Sequence, residues 1–249
     1  MLRILYGEAG TGKSAAIMDE IRRSDGSGVR CILLVPEQYS HEAERELCSV
    51  CGDGLSLYAE VLSFTGLARE VSAECGGTAE EFLDKGGRLL CMALAADGLY
   101  SRLRVYGAAR HRAEMQTMLL GAVDELKSAC VTSEQLLAAA DSCEGALGDK
   151  LFDLGLILEA YDGVVANGSA DPADRLSVLA GQIERSSIGA DTHVFVDGFT
   201  DFTAQERRVL EALMLSGAYL TVCLSCDDLG EGSEVFALGR ITASALCRG

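Results

Sequence analysis

Eight consecutive residues near the amino terminus, Gly7-Glu8-Ala9-Gly10-Thr11-Gly12-Lys13-Ser14, match the pattern G-x-x-x-x-G-K-[ST] in full. Glycines at these spacings let backbone N–H groups turn inward around a phosphate, and a following helix adds the positive end of its dipole. Lys13 is placed to reach the β- and γ-phosphates of a nucleotide such as ATP, and the Ser14 hydroxyl to complete the coordination of Mg2+. A phosphate loop also needs an acid for the metal. Val194-Phe195-Val196-Asp197 offers one, as three apolar strand residues ending in a carboxylate at the edge where parallel sheets bind their ligands. The plainer alternatives are a Gly-rich connector for the first segment and a simple turn at Asp197-Gly198 for the second. Hydrolysis expects a glutamate beside this aspartate, as base on the attacking water. Gly198 stands there instead, and the nearby Asp201 and Glu206 read more simply as a loop residue and a first-turn helix acid.

Two cysteine pairs, Cys48/Cys51 and Cys223/Cys226, have the C-x-x-C spacing that metal sites use. The first pair falls at the end of a helical stretch. The second lies in or just after a strand, where residues three apart point to opposite faces, so packing as small hydrophobes is the preferred reading.

The elements that must position the loop and the acid follow from periodicity. Leu2 to Tyr6 is a short apolar run opening into the loop, and Lys13 to Arg23 continues with helical spacing. Arg30 to Val35 reads as a buried strand stopped by Pro36, Ser40 as the cap of a helix to Cys51, Leu55 to Val61 as a third strand, and Ser63 as the cap of a helix to Glu74. From Thr78 to Ser187 only helical periods occur: Glu80 to Ala96, Ala108 to Ala129, Ser133 to Asp141, Asp149 to Val165, and Pro172 to Arg185 with Asp171 as cap. Strands return at Thr192 to Val196 and Ala218 to Ser225, with a helix from Ala204 to Ser216 between them and another from Glu234 to Cys247. This order predicts an α/β fold, an open parallel sheet with a large all-helical insertion. The expected domains are 1–76 with 188–249 for the sheet and 77–187 for the insertion. The last helix has no strand after it, and the chain is expected to stop before its fold is complete.

With 249 residues, 49% of them hydrophobic and 24% charged, the chain has material for a packed core. Its two prolines, Pro36 and Pro172, mark no linker. A net charge of −17 argues against a free-standing, non-specific nucleic-acid binder, while leaving room for a local groove or a more basic partner. Met1 to Tyr6 is too short for a secretion signal, and no apolar run approaches a membrane span. A cytoplasmic location without membrane contact is expected, with the ten cysteines reduced.

Three segments, GEAGTGKS from Gly7, LLVPEQYSHEAERE from Leu33 and VDGFTDFTAQE from Val196, resemble AddB-type subunits of bacterial helicase–nucleases. VLSFTGLAREV from Val61 and KLFDLGLILEAYDG from Lys150 support the likeness, which covers essentially the whole chain in order. The resemblance implies a RecA-like P-loop NTPase domain of the superfamily-one helicase type, interrupted by the helical block. It implies a heterodimeric partner, the AddA-type helicase–nuclease subunit, and a role in double-strand break repair and recombination. The family's later helicase motifs, nuclease carboxylates and iron–sulfur cysteines belong beyond Gly249, so no nuclease site is expected here. Active relatives carry D-E-x-Q-D where this chain has Asp197-Gly198-Phe199-Thr200-Asp201, which implies ATP binding without efficient hydrolysis. In the same plan Gln38, Ser40 and Phe64 fall on the single-stranded DNA path, as two polar contacts and a base-stacking ring. Their plainer readings are a turn residue, a helix cap and a core aromatic.

Two other functions compete. One is a small-molecule P-loop kinase with a helical lid, although Arg88, Arg102, Arg104, Arg110 and Arg112 in the insertion make no recognisable phosphate clamp. The other is an interaction module whose loop binds nothing.

Overall fold

The computed structural model describes residues 1–76, 82–107 and 112–248. Five strands, β1 (Leu2–Gly7), β2 (Arg30–Leu34), β3 (Ala59–Leu62), β4 (Thr192–Val196) and β5 (Tyr219–Ser225), form one parallel sheet in the order β1-β5-β4-β2-β3. Burial on both faces explains why β2, β4 and β5 are nearly continuous apolar runs. The helices are α1 (Lys13–Arg23), α2 (Ser40–Cys51), α3 (Phe64–Glu74), α4 (Lys85–Leu99), α5 (Ala113–Ser128), α6 (Ser133–Asp141), α7 (Gly145–Val165), α8 (Arg175–Gln182), α9 (Ala204–Leu215) and α10 (Ala237–Leu246).

The chain divides into two compact units, Met1–Thr78 with Leu176–Gly249, and Ala79–Arg175. In the first, alternate residues of each strand feed two cores. Cys31, Leu33, Phe195 and Cys223 pack with Ile17, Met18 and Ile21 of α1 and Leu47 of α2. Ile32, Leu34, Val194, Val196 and Val222 pack with Leu67 of α3, Leu179 of α8, Val209 and Leu213 of α9, and Leu246 of α10. The carboxyl ends of the strands are level, because Leu34 pairs with Val196, Val196 with Val222, and Gly7 with Ser225. The second unit contains α4 to α7 around Met92, Leu119, Val123, Ile157 and Tyr161.

Several elements differ from the sequence expectations. The strand expected from Leu55 begins only at Ala59. Gly52, held at φ 72°, leads into a 3-10 turn over Gly52–Leu57, closed by the Tyr58 N–H donating to the Leu55 carbonyl at 3.1 Å. Ser40 is not a cap: a 3-10 turn over Glu37–Tyr39 runs straight into α2, so Ser40 is already helical and its hydroxyl donates to the Glu37 carbonyl at 2.9 Å. Ser63 does cap α3, accepting from the Gly66 N–H at 3.1 Å. The helix expected over Pro172 to Arg185 is α8 flanked by 3-10 turns, although Asp171 accepts from the Ala173 N–H at 3.0 Å as a cap. Helix α7 starts at Gly145, ahead of the expected Asp149. The starts expected at Glu80 and Ala108 lie outside the described residues; among those described, α4 begins at Lys85 under the Asp84 cap and α5 at Ala113. Among the described residues no helix is long and apolar enough to cross a membrane.

Candidate functional site

The Gly-rich loop joins β1 to α1, and its shape depends on residues that can leave the ordinary backbone regions. Gly10 and Gly12 sit at φ 78° and 87°, which side chains with a Cβ rarely adopt. Gly12 is the residue before α1, with no side-chain cap and no acid in the helix's first turn. The first N–H groups of α1 therefore have neither intrahelical acceptors nor a competing carboxylate. A Cβ on Gly7 would come within 2.8 Å of Thr11 Oγ1. The loop also closes on itself: the Thr11 hydroxyl donates to the Glu8 carbonyl at 2.8 Å, and the Lys13 ammonium donates to the Gly7 and Glu8 carbonyls at 2.8 Å each. A Gly-rich turn at a helix start, with an ammonium tied to its first carbonyls, can receive an anion.

Asp197 follows the last residue of β4. Its N–H donates to the Leu34 carbonyl at 3.0 Å, and its Oδ1 accepts from the Gly198 N–H at 2.9 Å. Ser14 and Asp197 line the same cavity, of about 320 Å³, with Met18, Tyr39, Glu42 and Glu46 among the other walls. The structure thus brings the loop serine and the strand-end aspartate together across β5. A larger cavity of about 550 Å³ lies at the opposite, amino end of β2 and β3 beside Arg30, Tyr58 and Glu60. Size does not make it the better candidate, since Arg30 there is already bound by Glu60 and Glu70 and offers its charge to them rather than to a ligand.

Sequence reasoning missed three residues in or beside this site. Cys223, read as core packing, is 2% exposed and lies close enough to Asp197 to feel its charge. Burial pushes the thiol up to about 12, the adjacent Asp197 charge adds to this, and Lys13 opposes it, so the sulfur stays protonated. No local pattern announces this, because only the β4–β5 register sets Cys223 beside Asp197. Glu42 and Glu46 were equally unannounced, although their spacing puts both on one face of α2.

The remaining candidates are dispersed. Gln38 is exposed in the turn before α2, and Ser40 is half-buried at its start. Phe64 is a core aromatic, 6% exposed and edge-on to Phe199 with centroids 5.5 Å apart, which leaves no open face for a base. Glu206 belongs to a capping box of α9, where its Oε2 accepts from the Thr203 N–H at 2.7 Å. Asp201 is an exposed loop residue. In the helical unit, Arg88 is held by Asp171 at 2.8 Å and by Asp124, and Arg104 pairs with Asp149 at 2.9 Å above the Phe152 ring. These two arginines act as tethers within the unit.

The fold and this cavity define an α/β protein with a parallel sheet and a Gly-rich loop at its carboxyl edge. A family model described as ADDB, N-terminal, matches residues 4–248, and the chain belongs to that family. It is similar to the B subunit of the ATP-dependent helicase/deoxyribonuclease of Thermoanaerobacter sp. (strain X514), with 34% identity over 253 residues, 99% of this chain and 22% of that protein. The like-named protein of Desulforudis audaxviator (strain MP104C) shares 34% over 255 residues, again 99% and 22%. That of Clostridium kluyveri (strain NBRC 12016) shares 30% over 236 residues, 94% of this chain and 20% of the relative. The chain therefore spans about a fifth of the length of these relatives.

Proposed function

We propose that the chain is the nucleotide-binding, helicase-like amino-terminal part of the B subunit of an AddAB-type helicase–nuclease, working in the cytoplasm with an AddA-type partner on broken DNA. The observation that carries this reading is the shared cavity of Ser14 and Asp197, beside a loop whose N–H groups and Lys13 suit a phosphate chain. The sheet order supports it, since β5 separates the loop strand from the aspartate strand as a RecA-like P-loop domain requires. In that reading the helical unit is an insertion into the RecA-like domain.

The donor set fits Mg·ATP. Lys13 and the loop amides would hold the phosphates, Ser14 would bind the metal, and Asp197 would orient its water. Bound Mg2+ supplies charge neutralisation along the phosphates. The protein's own part is orientation, because Gly198 offers no carboxylate beside Asp197 and Glu206 is engaged in the α9 cap. The site therefore binds nucleotide and turns it over negligibly. Gln38 and Ser40, before and at the start of α2, are the polar contacts assigned to single-stranded DNA.

Calorimetry on the whole protein tests the reading. Wild type binds Mg·ATP, and Lys13→Ala, which removes the loop's cation, abolishes the signal. Equal affinity in the two proteins would refute it.

A further inference from the structure

We propose that the connection between α4 and α5 carries a contact surface for a nucleic-acid phosphate backbone, with Arg102 and Arg112 as its cations. It concerns the helical unit rather than the nucleotide cavity, and it rests on the reading above only in taking DNA to be what the protein acts on.

Charge is the first observation. The chain holds 38 acidic residues against 21 Lys and Arg, yet residues 98–113 contain Arg102, Arg104, Arg110 and Arg112 and no Asp or Glu. A net charge of −17 keeps a polyanion away from most of the surface, so a contact with one has to use a local run of this kind. Arginine suits the task, because its planar fork bonds phosphate oxygens in pairs and keeps its charge. Arg110 lies outside the described residues, while Arg102, Arg104 and Arg112 are all exposed. Arg104 gives its charge to Asp149 at 2.9 Å, whereas Arg102 and Arg112 form no ion pair among the described residues.

Order is the second. The backbone around Arg102 is fixed by α7, whose Asp153, 0% exposed, accepts from the N–H groups of Arg104 at 2.8 Å, Val105 at 2.7 Å and Tyr106 at 3.0 Å. The Arg102 N–H donates to the Leu99 carbonyl at 2.8 Å, and Leu103 and Tyr106 pack against the core of the unit. Inward anchors thus interleave with outward arginines, and a connection already held in place has less freedom to lose on binding. Arg112 stands immediately before α5, where its side chain caps nothing. Lying five residues after Gly107, it is at most about 18 Å from it. Duplex DNA presents about ten phosphate charges over that span.

The test is the affinity of the whole protein for a short blunt duplex and for oligothymidine, each measured across a salt series. The expected result is that the double variant Arg102→Gln/Arg112→Gln loses about tenfold or more in affinity for at least one probe at low salt. Its plot of log affinity against log salt is expected to flatten by about 1.8 on the duplex or about 1.4 on the single strand, two lost phosphate contacts in either case. The probe that responds identifies which form of DNA supplies the backbone. Arg102→Lys/Arg112→Lys keeps the charges and should keep most of the slope, which a merely structural role would not predict. Identical affinity and slope for wild type and the glutamine variant on both probes, or a loss that the lysine variant does not restore, overturns the proposal and leaves the nucleotide reading intact. Unchanged DNA binding with weaker assembly onto the partner subunit would assign the surface to a protein and overturn it equally. A wild-type protein that binds neither probe overturns this surface and the DNA-acting reading together, while the Mg·ATP calorimetry still decides the nucleotide site.

Discussion

The ring carbon Cδ of Pro36 lies 3.3 Å from the position where a side chain on Gly198 would begin, and Gly198 itself is held at φ +82°. The residue after Asp197 is thus in a backbone conformation that disfavours any side chain. On the proposed reading, the loop as well as the residue type keeps a base out of this position.

Restoring the glutamate is therefore expected to fail. Gly198→Glu would place a Cβ residue in the left-handed region, at a cost of about 1–2 kcal/mol, and press it against Pro36. We expect a lower melting temperature and no gain in DNA-stimulated phosphate release by the whole complex with a motor-dead partner. General-base assistance typically contributes about 10²- to 10⁴-fold, so a rise of that size in the variant would show that the loop rebuilds around the new side chain.

Of the acids near Asp197 in sequence, Asp201 is an exposed loop residue and Glu206 is committed elsewhere by the structure. Thr203 and Glu206 exchange backbone-to-side-chain hydrogen bonds at 3.2 and 2.7 Å in the α9 capping box. Thr203→Ala should cost about 0.5–2 kcal/mol in denaturant unfolding. Glu206→Ala should likewise destabilise the protein while leaving nucleotide affinity unchanged. Strong hydrolysis by wild type that disappears in Glu206→Ala would instead make this residue the base.

Lys127 anchors the helical unit. Its ammonium lies 2.8 Å from Asp162, 3.1 Å from the fully buried Asp171 and 2.7 Å from Asp174. Burial works against the charged lysine, but the three carboxylates hold its pKa above the usual value. Lys127→Met leaves Asp171 without this partner and is expected to destabilise the unit by about 3–5 kcal/mol, read from urea unfolding. The pH dependence follows from Asp171. Burial raises its pKa, but the Ala173 N–H, Lys127 and Arg88 outweigh that and leave it lowered. Its contribution is present above the unfolded aspartate value of about 3.9 and is lost as pH falls through the lower folded value. Asp174, raised by burial, opposes this in part. Acid sensitivity unchanged by Lys127→Met would show that this network does not govern it.

No nuclease activity is expected from these residues. Metal-dependent cleavage of a phosphodiester needs clustered carboxylates, and on the proposed reading Asp197 and Ser14 serve the metal of the nucleotide instead. Highly purified chain incubated with linear DNA and Mg2+ should leave it intact. Degradation that is lost on Asp197→Ala would contradict this.

Local chemistry determined what the sequence revealed by itself. The glycines and Lys13-Ser14 of the first loop declare their conformation and charge within eight residues, and the apolar runs at Arg30–Leu34 and Thr192–Val196 carry their strand character in consecutive side chains. Ser63 and Asp171 cap as residues of their types do, with acceptors a few bonds from the donors they satisfy. What depended on distant segments was not legible. Leu57 has the look of a strand residue yet is 88% exposed, because only Ala59 onward meets β2. Ser40 lost its capping role to a turn that begins at Glu37, and Phe64 went to the core because Phe199 arrives from the far end of the chain to pack on it. The neighbours of Asp197 are the clearest case. Parallel pairing brings Cys223 beside it and Pro36 against Gly198, and strand register, the sum of many backbone hydrogen bonds and buried contacts, is decided only when the whole sheet assembles.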